Sequence, residues 1–255
     1  MRYAAIGDSF TEGVGDELPD GTTRGWADRV AAGLAAARDE PVLYANLAVR
    51  GKQLGPIVTE QLDAALALDP APTVLTLNGG GNDMLRPRTD VRHVVELTAR
   101  AVQRCSAAGV RLVLLSGADP GDGIPFGRAV RRRGDALTAG VVELAREHGV
   151  TLVDVFHDEE IRRPAYWSPD RLHLGPVGHR RVAALVLDAL GEAGAASAVR
   201  AEGPEVRRLL AELRYYREHV LPWVTRRLRG RSSGDGRAGK HAQWVPVPAE
   251  DGAAD

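Results

Sequence analysis

Five short runs, at residues 3–6, 42–47, 73–77, 111–115 and 151–155, are nearly continuous in Val, Leu, Ile and Ala. Such runs mark strands covered on both faces rather than strands with one wet face. Between them the apolar positions change to helical spacing. Trp26, Val30 and Leu34 line one stripe, and Ile57, Gln61 and Leu62 sit less cleanly on the next. Val91, Val94, Val95 and Val102 form a third, Leu137, Val141, Leu144 and Ala145 a fourth, and Val182, Leu185, Val186 and Leu190 a fifth. Strict alternation of strand and helix predicts a parallel sheet with right-handed crossovers and helices on both faces. The expected architecture is a doubly wound, three-layer α/β/α fold around a five-stranded parallel sheet.

The pattern changes after residue 192. Residues 193–198 are rich in small side chains and read as a linker. Val206, Leu209, Leu210, Leu213 and Val220 then make an apolar helical face opposite Glu205, Arg207, Arg208, Glu212 and Arg214, with Pro222 ending or kinking the helix. Residues 230–255 offer Gly, Ser, Pro, Ala and charge with almost nothing to bury, so a disordered tail is expected there. The chain thus divides into a domain over 1–192, a linker and amphipathic helical extension over 193–229, and a tail over 230–255.

Composition narrows the class. With 255 residues, 44% hydrophobic and 26% charged, the chain supports an ordinary globular core. Its 33 Lys and Arg against 34 Asp and Glu leave a net charge of -1, so no global field points to nucleic acid or an acidic membrane. Residues 204–240 carry ten basic and four acidic side chains, net +6, leaving -7 for the remainder. That region and the Arg131-Arg132-Arg133 run suggest a module for nucleic acid or an anionic surface, but no aromatic stacking platform accompanies them, and a solvated helix face explains them more simply. No nucleic-acid partner is expected, and a monomer is. The lone Cys105 forms no intrachain disulfide, reads as a small buried apolar side chain, and fits a reducing compartment. No apolar run approaches the roughly 18–20 residues of a membrane span. The first strand-like run begins at Arg2, which argues against a signal peptide and for the cytoplasm.

In a parallel sheet, ligands bind beyond the carboxyl ends of the strands. The first strand ends in Gly7-Asp8-Ser9-Phe10-Thr11-Glu12-Gly13, and the second leads to Asn46-Leu47-Ala48-Val49-Arg50-Gly51. The third leads to Asn78-Gly79-Gly80-Gly81-Asn82-Asp83, and the fifth, after a loop, to Ser168-Pro169-Asp170-Arg171-Leu172-His173. A serine, exposed backbone, an asparagine amide and an Asp-x-x-His pair on one rim are the parts needed for acyl transfer through a serine. The hydroxyl of Ser9 becomes a nucleophile when an imidazole accepts its proton, and Asp170, one turn from His173, can hold that imidazole. Gly51 can bring its N–H close to a developing oxyanion, with the Asn82 amide and the Ser9 N–H as further donors.

These four blocks, in order and spacing, resemble those of the SGNH (GDSL-type) hydrolases, with Phe10 where the first block usually has Leu. The likeness covers residues 1–192. It implies a flavodoxin-like strand order, no cofactor, Ser9 as nucleophile, His173 as base and Asp170 as its orienter. It also implies an oxyanion hole of Ser9, Gly51 and Asn82. The expected substrate is a small-molecule or glycan ester with a short, acetyl-like acyl group, passing through an acyl-enzyme. Trp167, with Tyr166, offers a small apolar wall for it, and the loops beyond the strands are short and polar.

Simpler readings stand beside these. Ser9 with Glu12 three residues on fits a helix N-cap and capping box. Gly51 and the glycines at 79–81 also suit turns, Asn82 a helix cap, Asp170 a turn, and His173 a surface position. No Lys-Ser or Lys-Thr follows Gly81, so a nucleotide-phosphate loop fails. Thr11 stands where the Gly-x-Ser-x-Gly elbow of α/β-hydrolases needs its last glycine. His157-Asp158-Glu159-Glu160 is better explained as acidic residues at a helix N-terminus than as metal ligands, and no metal is expected. An acyl- or acetyltransferase on the same site, or a non-catalytic binding module on this fold, are the competing functions.

Overall fold

The computed structural model describes residues 1–121, 124, 127–192, 194, 196–201 and 234–249. The strands are β1 (Arg2–Ile6), β2 (Val42–Asn46), β3 (Val74–Asn78), β4 (Arg111–Leu115), β5 (Thr151–Val153) and β6 (His241–Val247). Their order across the sheet is β5-β4-β3-β1-β2-β6. The first five pair in parallel, in the flavodoxin-like order that the resemblance implies.

Helices α2 (Trp26–Arg38) and α8 (Pro176–Leu190) cover one face. There Trp26, Val30, Leu34, Val182 and Val186 bury against Tyr3, Ala5, Val42 and Tyr44. The other face is covered by α6 (Val91–Ala107), α7 (Gly127–His148) and a composite helix. That composite runs through α3 (Leu54–Pro56), a π-helical turn at Ile57–Gln61, and α4 (Leu62–Leu66). Ala4, Ile6, Leu75, Leu77, Leu112 and Leu114 point into that second layer, and Cys105 lies buried in it. Alternate residues of β1 therefore feed opposite cores, as the pleat of a doubly covered strand demands. The π turn explains why Ile57, Gln61 and Leu62 fit a 3.6-residue stripe poorly: one extra residue in the turn rotates the stripe.

The sheet corrects two expectations. It has six strands rather than five and is mixed, because β6 adds antiparallel to β2, with Val42 opposite Val247 and Asn46 opposite His241. β6 lies within 230–255, the stretch expected to be a disordered tail. Composition misleads there because an edge strand needs only one hydrogen-bonded neighbour and one half-covered face. Trp244 packs toward the core and donates its indole N–H to Pro70 O at 2.9 Å. Of the expected linker, Ala196–Ala198 forms a 3₁₀ turn. The amphipathic extension through Val206 and Val220 lies outside the described residues. Among the described residues no helix is long and apolar enough to cross a membrane.

Candidate active site

The loops after β1, β2 and β3 meet at the switch point of the sheet, where successive crossovers leave β1 in opposite directions and open a crevice beyond the strand ends. Ser9 opens α1 (Ser9–Glu12), directly after β1. The N-cap of α1 is Asp8, whose carboxylate accepts the Phe10 N–H at 3.1 Å. Ser9 is therefore not the cap, and Glu12 makes no capping box. The Glu12 carboxylate instead accepts the Arg50 N–H at 2.6 Å and Arg50 Nε at 2.7 Å, tying α1 to the loop after β2.

Ser9 Oγ lies 2.9 Å from His173 Nε2, and His173 Nδ1 lies 2.6 Å from Asp170 Oδ2. The loop carrying the latter pair is closed on itself: Ser168 N–H donates to His173 O at 2.9 Å, and Gly175 N–H to Tyr166 O at 2.8 Å. The other oxygen of Asp170 accepts Ser168 Oγ at 2.6 Å and the N–H groups of Leu172 and His173, each at 2.9 Å. Burial would raise the Asp170 carboxyl, but the bonds from His173 and Ser168 outweigh it and hold the group well below the usual carboxylate range. Asp170 is thus an anion whose lone pairs are committed to one orientation of the ring.

Asn82 lies on α5 (Gly81–Met84), after β3. Its Nδ2 donates to Asp8 Oδ2 at 3.1 Å and to Lys52 O at 3.0 Å, so both amide hydrogens face the space between the first two loops. Burial pushes Asp8 up to about 6, against the pull of the Phe10 N–H, His173 and Asn82. Gly51 has φ +79°, and Lys52 N–H bonds back to Val49 O at 3.3 Å. That pair of features fits a type II turn, whose third position demands glycine. Among the described residues neither the Ser9 nor the Gly51 N–H has an acceptor.

The structure thus brings together Ser9, Gly51, Asn82, Asp170 and His173. Trp167 sits on the same loop as Asp170, with its indole N–H given to Ile161 O at 2.7 Å and its ring packed beside the core. His179 is fully buried: its Nδ1 accepts the Trp26 N–H at 3.2 Å, its Nε2 donates to Val14 O at 3.2 Å, and burial holds it down at about 4. It is a structural, neutral imidazole.

Three supporting residues escaped sequence reasoning. Gln61 accepts the Gly7 N–H at 2.8 Å and donates to Gly7 O at 2.9 Å, fastening the backbone just before Ser9. A polar residue in an otherwise apolar helical stripe was the available signal. Asp83, raised by burial, accepts the Leu54 N–H at 3.0 Å and Gln53 Nε2 at 3.2 Å, which ties the loop after β3 to the loop after β2. Lys240, just before β6, reaches α1 and α2, and nothing local announces it.

A family model for the GDSL-like lipase/acylhydrolase family matches residues 5–181, and the chain belongs to that family of carboxylic ester hydrolases. No curated protein sequence matches it significantly. Among solved structures, the lipase Lip_vut3 from a goat rumen metagenome is similar at TM-score 0.62 and 19% identity, covering 74% of this chain and 97% of its own. A catalytic mutant of Axe2, an acetylxylan esterase from Geobacillus stearothermophilus, is similar at TM-score 0.63 and 18% identity, covering 81% and 96%. The psychrotrophic esterase EstA from Pseudoalteromonas sp., in a form inhibited by monoethylphosphonate, is similar at 0.58 and 18%, covering 74% and 96%. At these identities the likeness speaks for the fold.

Proposed function

We propose that this hydrolase cleaves short-chain, acetyl-like esters of a small molecule or glycan through an acyl-enzyme on Ser9. The observation that carries the reading is the continuous path from Ser9 Oγ to His173 Nε2 at 2.9 Å and from His173 Nδ1 to Asp170 Oδ2 at 2.6 Å, beside Ser9 and Gly51 N–H groups that have no acceptor among the described residues. Asp170 keeps the proton on Nδ1, so the Nε2 lone pair faces the hydroxyl.

In the first half-reaction, Nε2 takes the Ser9 proton while Oγ bonds to the ester carbonyl carbon. The carbonyl oxygen gains the negative charge, met by the Ser9 and Gly51 N–H groups and by an Asn82 hydrogen that the oxyanion draws from Lys52 O. Collapse of the intermediate breaks the bond to the alcohol oxygen, which leaves with the proton from Nε2. In the second half, Nε2 takes a proton from water, whose oxygen attacks the acyl carbon, and the acid departs as Oγ recovers its proton. The imidazolium formed in each half faces the Asp170 anion, which stabilises it.

The preference for a short acyl group is supported by the loops around the rim. Among the described residues, Asp119, buried after β4, meets Arg131 on α7 at 3.2 Å and Arg162 after β5 at 3.5 Å, so charge joins these segments at the rim. Axe2, by its name an acetylxylan esterase, shares the fold. Each buried methylene contributes about 0.8 kcal/mol, so a pocket for long chains would raise kcat/KM with acyl length. A series of p-nitrophenyl esters from two to twelve carbons tests this: an optimum at two to four carbons is expected, and one at eight or more overturns it. A serine-directed phosphonate with peptide mapping tests the nucleophile, and labelling anywhere but Ser9 overturns it.

A further inference from the structure

The C-terminal segment from Gly234 to β6 does more than extend the sheet, for it grips the two loops that carry Ser9 and Gly51. The Lys240 ammonium has three hydrogens, and all three are given away: to Glu12 O at 2.8 Å, to Thr23 O at 2.9 Å and to Asp28 Oδ2 at 2.6 Å. Glu12 ends the short helix that Ser9 begins, and a carbonyl at a helix end has no partner within the helix. The Thr23 hydroxyl donates to it at 2.9 Å, and Lys240, more than two hundred positions away, supplies a second hydrogen bond. The side chain of the same Glu12 holds the N–H and the guanidinium of Arg50.

At the carbonyl of Arg50 the tail closes in again. A Cβ placed on Gly234 would lie 2.0 Å from Arg50 O and 2.9 Å from Val49 Cγ1, so only a bare backbone fits there. Gly239 passes close to the end of β2, where a Cβ would lie 2.6 Å from Asn46 O and 2.5 Å from Leu47 Cα.

Arg50 C=O and Gly51 N–H belong to one planar trans peptide and point in opposite directions, so whatever fixes the carbonyl aims the N–H. That peptide is also the central one of the turn from Val49 to Lys52. Types I and II of this turn differ by a flip of that peptide, and a glycine permits either conformation. A flip would reverse the direction of the Gly51 N–H. The local chain therefore leaves the donor's direction open; Gly234 packs against the carbonyl of that peptide, and Glu12 anchors the N–H and the guanidinium of Arg50, the residue about which the flip turns.

We propose that the C-terminal segment positions the oxyanion donor: Gly234 directly, and Lys240 through Glu12, hold the peptide between Arg50 and Gly51 in the orientation that aims the Gly51 N–H at the developing oxyanion. The inference rests on the ester-hydrolase reading of Ser9 and Gly51. Neither residue touches substrate; both are positioning residues.

The test uses the full chain with p-nitrophenyl acetate, comparing Gly234→Ala, Lys240→Met, Gly51→Ala and the double variant Gly234→Ala/Gly51→Ala, with melting temperatures recorded for each. Loss of a whole aimed donor costs about 10²–10³ in kcat, and a misaimed one part of that. Gly234→Ala is expected to lower kcat by about 10-fold or more and Lys240→Met by about 3-fold or more, with KM and the pH midpoint of kcat/KM unmoved. In the Gly51→Ala background, Gly234→Ala should cost little more, because the donor it aims is already lost. Folded single variants that keep kcat within twofold of the parent overturn the inference, as does full additivity in the double variant. If Gly234→Ala fails to fold, Lys240→Met, which adds no atom against the backbone of Arg50, decides by the same criteria. Absence of Ser9-dependent turnover in the unaltered protein overturns the hydrolase reading and the inference with it; Ser9-dependent turnover with indifferent Gly234 and Lys240 variants overturns the inference alone.

Discussion

Two Asp-x-x-His pairs lie in this chain within twenty residues of each other, and their local geometry is nearly the same. In one, His173 Nδ1 is 2.6 Å from Asp170 Oδ2, and the other oxygen of Asp170 accepts Ser168 Oγ at 2.6 Å. In the second, His157 Nδ1 is 2.7 Å from Asp154 Oδ2, and the other oxygen of Asp154 accepts Ser116 Oγ at 3.1 Å. The difference is on the far nitrogen. His173 Nε2 faces the Ser9 hydroxyl at 2.9 Å, whereas His157 Nε2 faces a second carboxylate, Asp135 on α7, at 3.1 Å. Carboxylates on both nitrogens favour the imidazolium, and the bonds from Asp154 and Asp135 raise His157 above its ordinary value. Such a ring is a cationic clamp between α7 and the loop after β5, while a ring with a hydroxyl on one side keeps a lone pair for proton transfer. An orienting aspartate is therefore common to both roles, and the partner of Nε2 separates them.

Substitutions at matching positions of the two pairs put this contrast at risk. Ser9→Ala or His173→Ala should lower kcat by about 10⁶-fold, as loss of a nucleophile or its base does, while His157→Ala stays within twofold of the parent. A comparable loss in the His157 variant would mean that Nε2 partners do not distinguish the two rings. Asp170→Asn should cost about 10⁴-fold, because the amide no longer holds the tautomer that presents Nε2 to Ser9. Asp154→Asn should leave turnover within twofold, and steady-state kinetics on p-nitrophenyl acetate reads both. Asn82→Ala, on the same rim as His173 but without a proton to transfer, should cost about 10²–10³ in kcat with KM held. A rise in KM with kcat intact would make Asn82 a binding residue instead.

The smallest effect belongs to the clamp itself. A histidine raised in the folded state contributes stability that is fully present below its unfolded value of about 6.5 and is lost as pH rises through the higher folded value. His157→Gln should therefore lower the melting temperature at pH 5.5 by about 2 °C, the scale of a half-exposed ion pair in a domain this size, and match the parent at pH 9. Thermal melts at the two pH values check it. A deficit that is equal at both, or larger at pH 9, would exclude the clamp.

The contrast also marks how far the sequence could be read. Asp170 and His173 were recognisable because their spacing came with three other blocks at strand ends, and isolated spacing would have served His157 equally well. His157 was instead expected to head an acidic helix N-terminus, but the chain there is a run of turns. Ser9, Gly51 and Asn82 were legible for the same reason as the strands that deliver them: a strand buried on both faces announces itself, and in a parallel sheet its carboxyl end is where a ligand site forms. Glu12 and Gln61 were visible only as polar residues with ordinary local explanations, a capping box and an imperfect stripe. Their partners, Arg50 and the Gly7 backbone, are 38 and 54 residues away.

Periodic burial is a local property, so the alternation of β and α, the three layers and the rim on which Ser9, Gly51, Asn82, Asp170 and His173 gather were already determined by residue order. What tertiary structure alone decided is which distant polar groups complete one another. β6 pairs with the backbone of β2, Lys240 with the carbonyls of Glu12 and Thr23, and Gly234 with the room left above Arg50 O. Backbone carbonyls and N–H groups are the same at every position, so a segment that binds mainly to them leaves no pattern in the partner's sequence. A stretch of Gly, Ser, Pro and Ala with little to bury reads as unstructured until the edge that accepts it is in place.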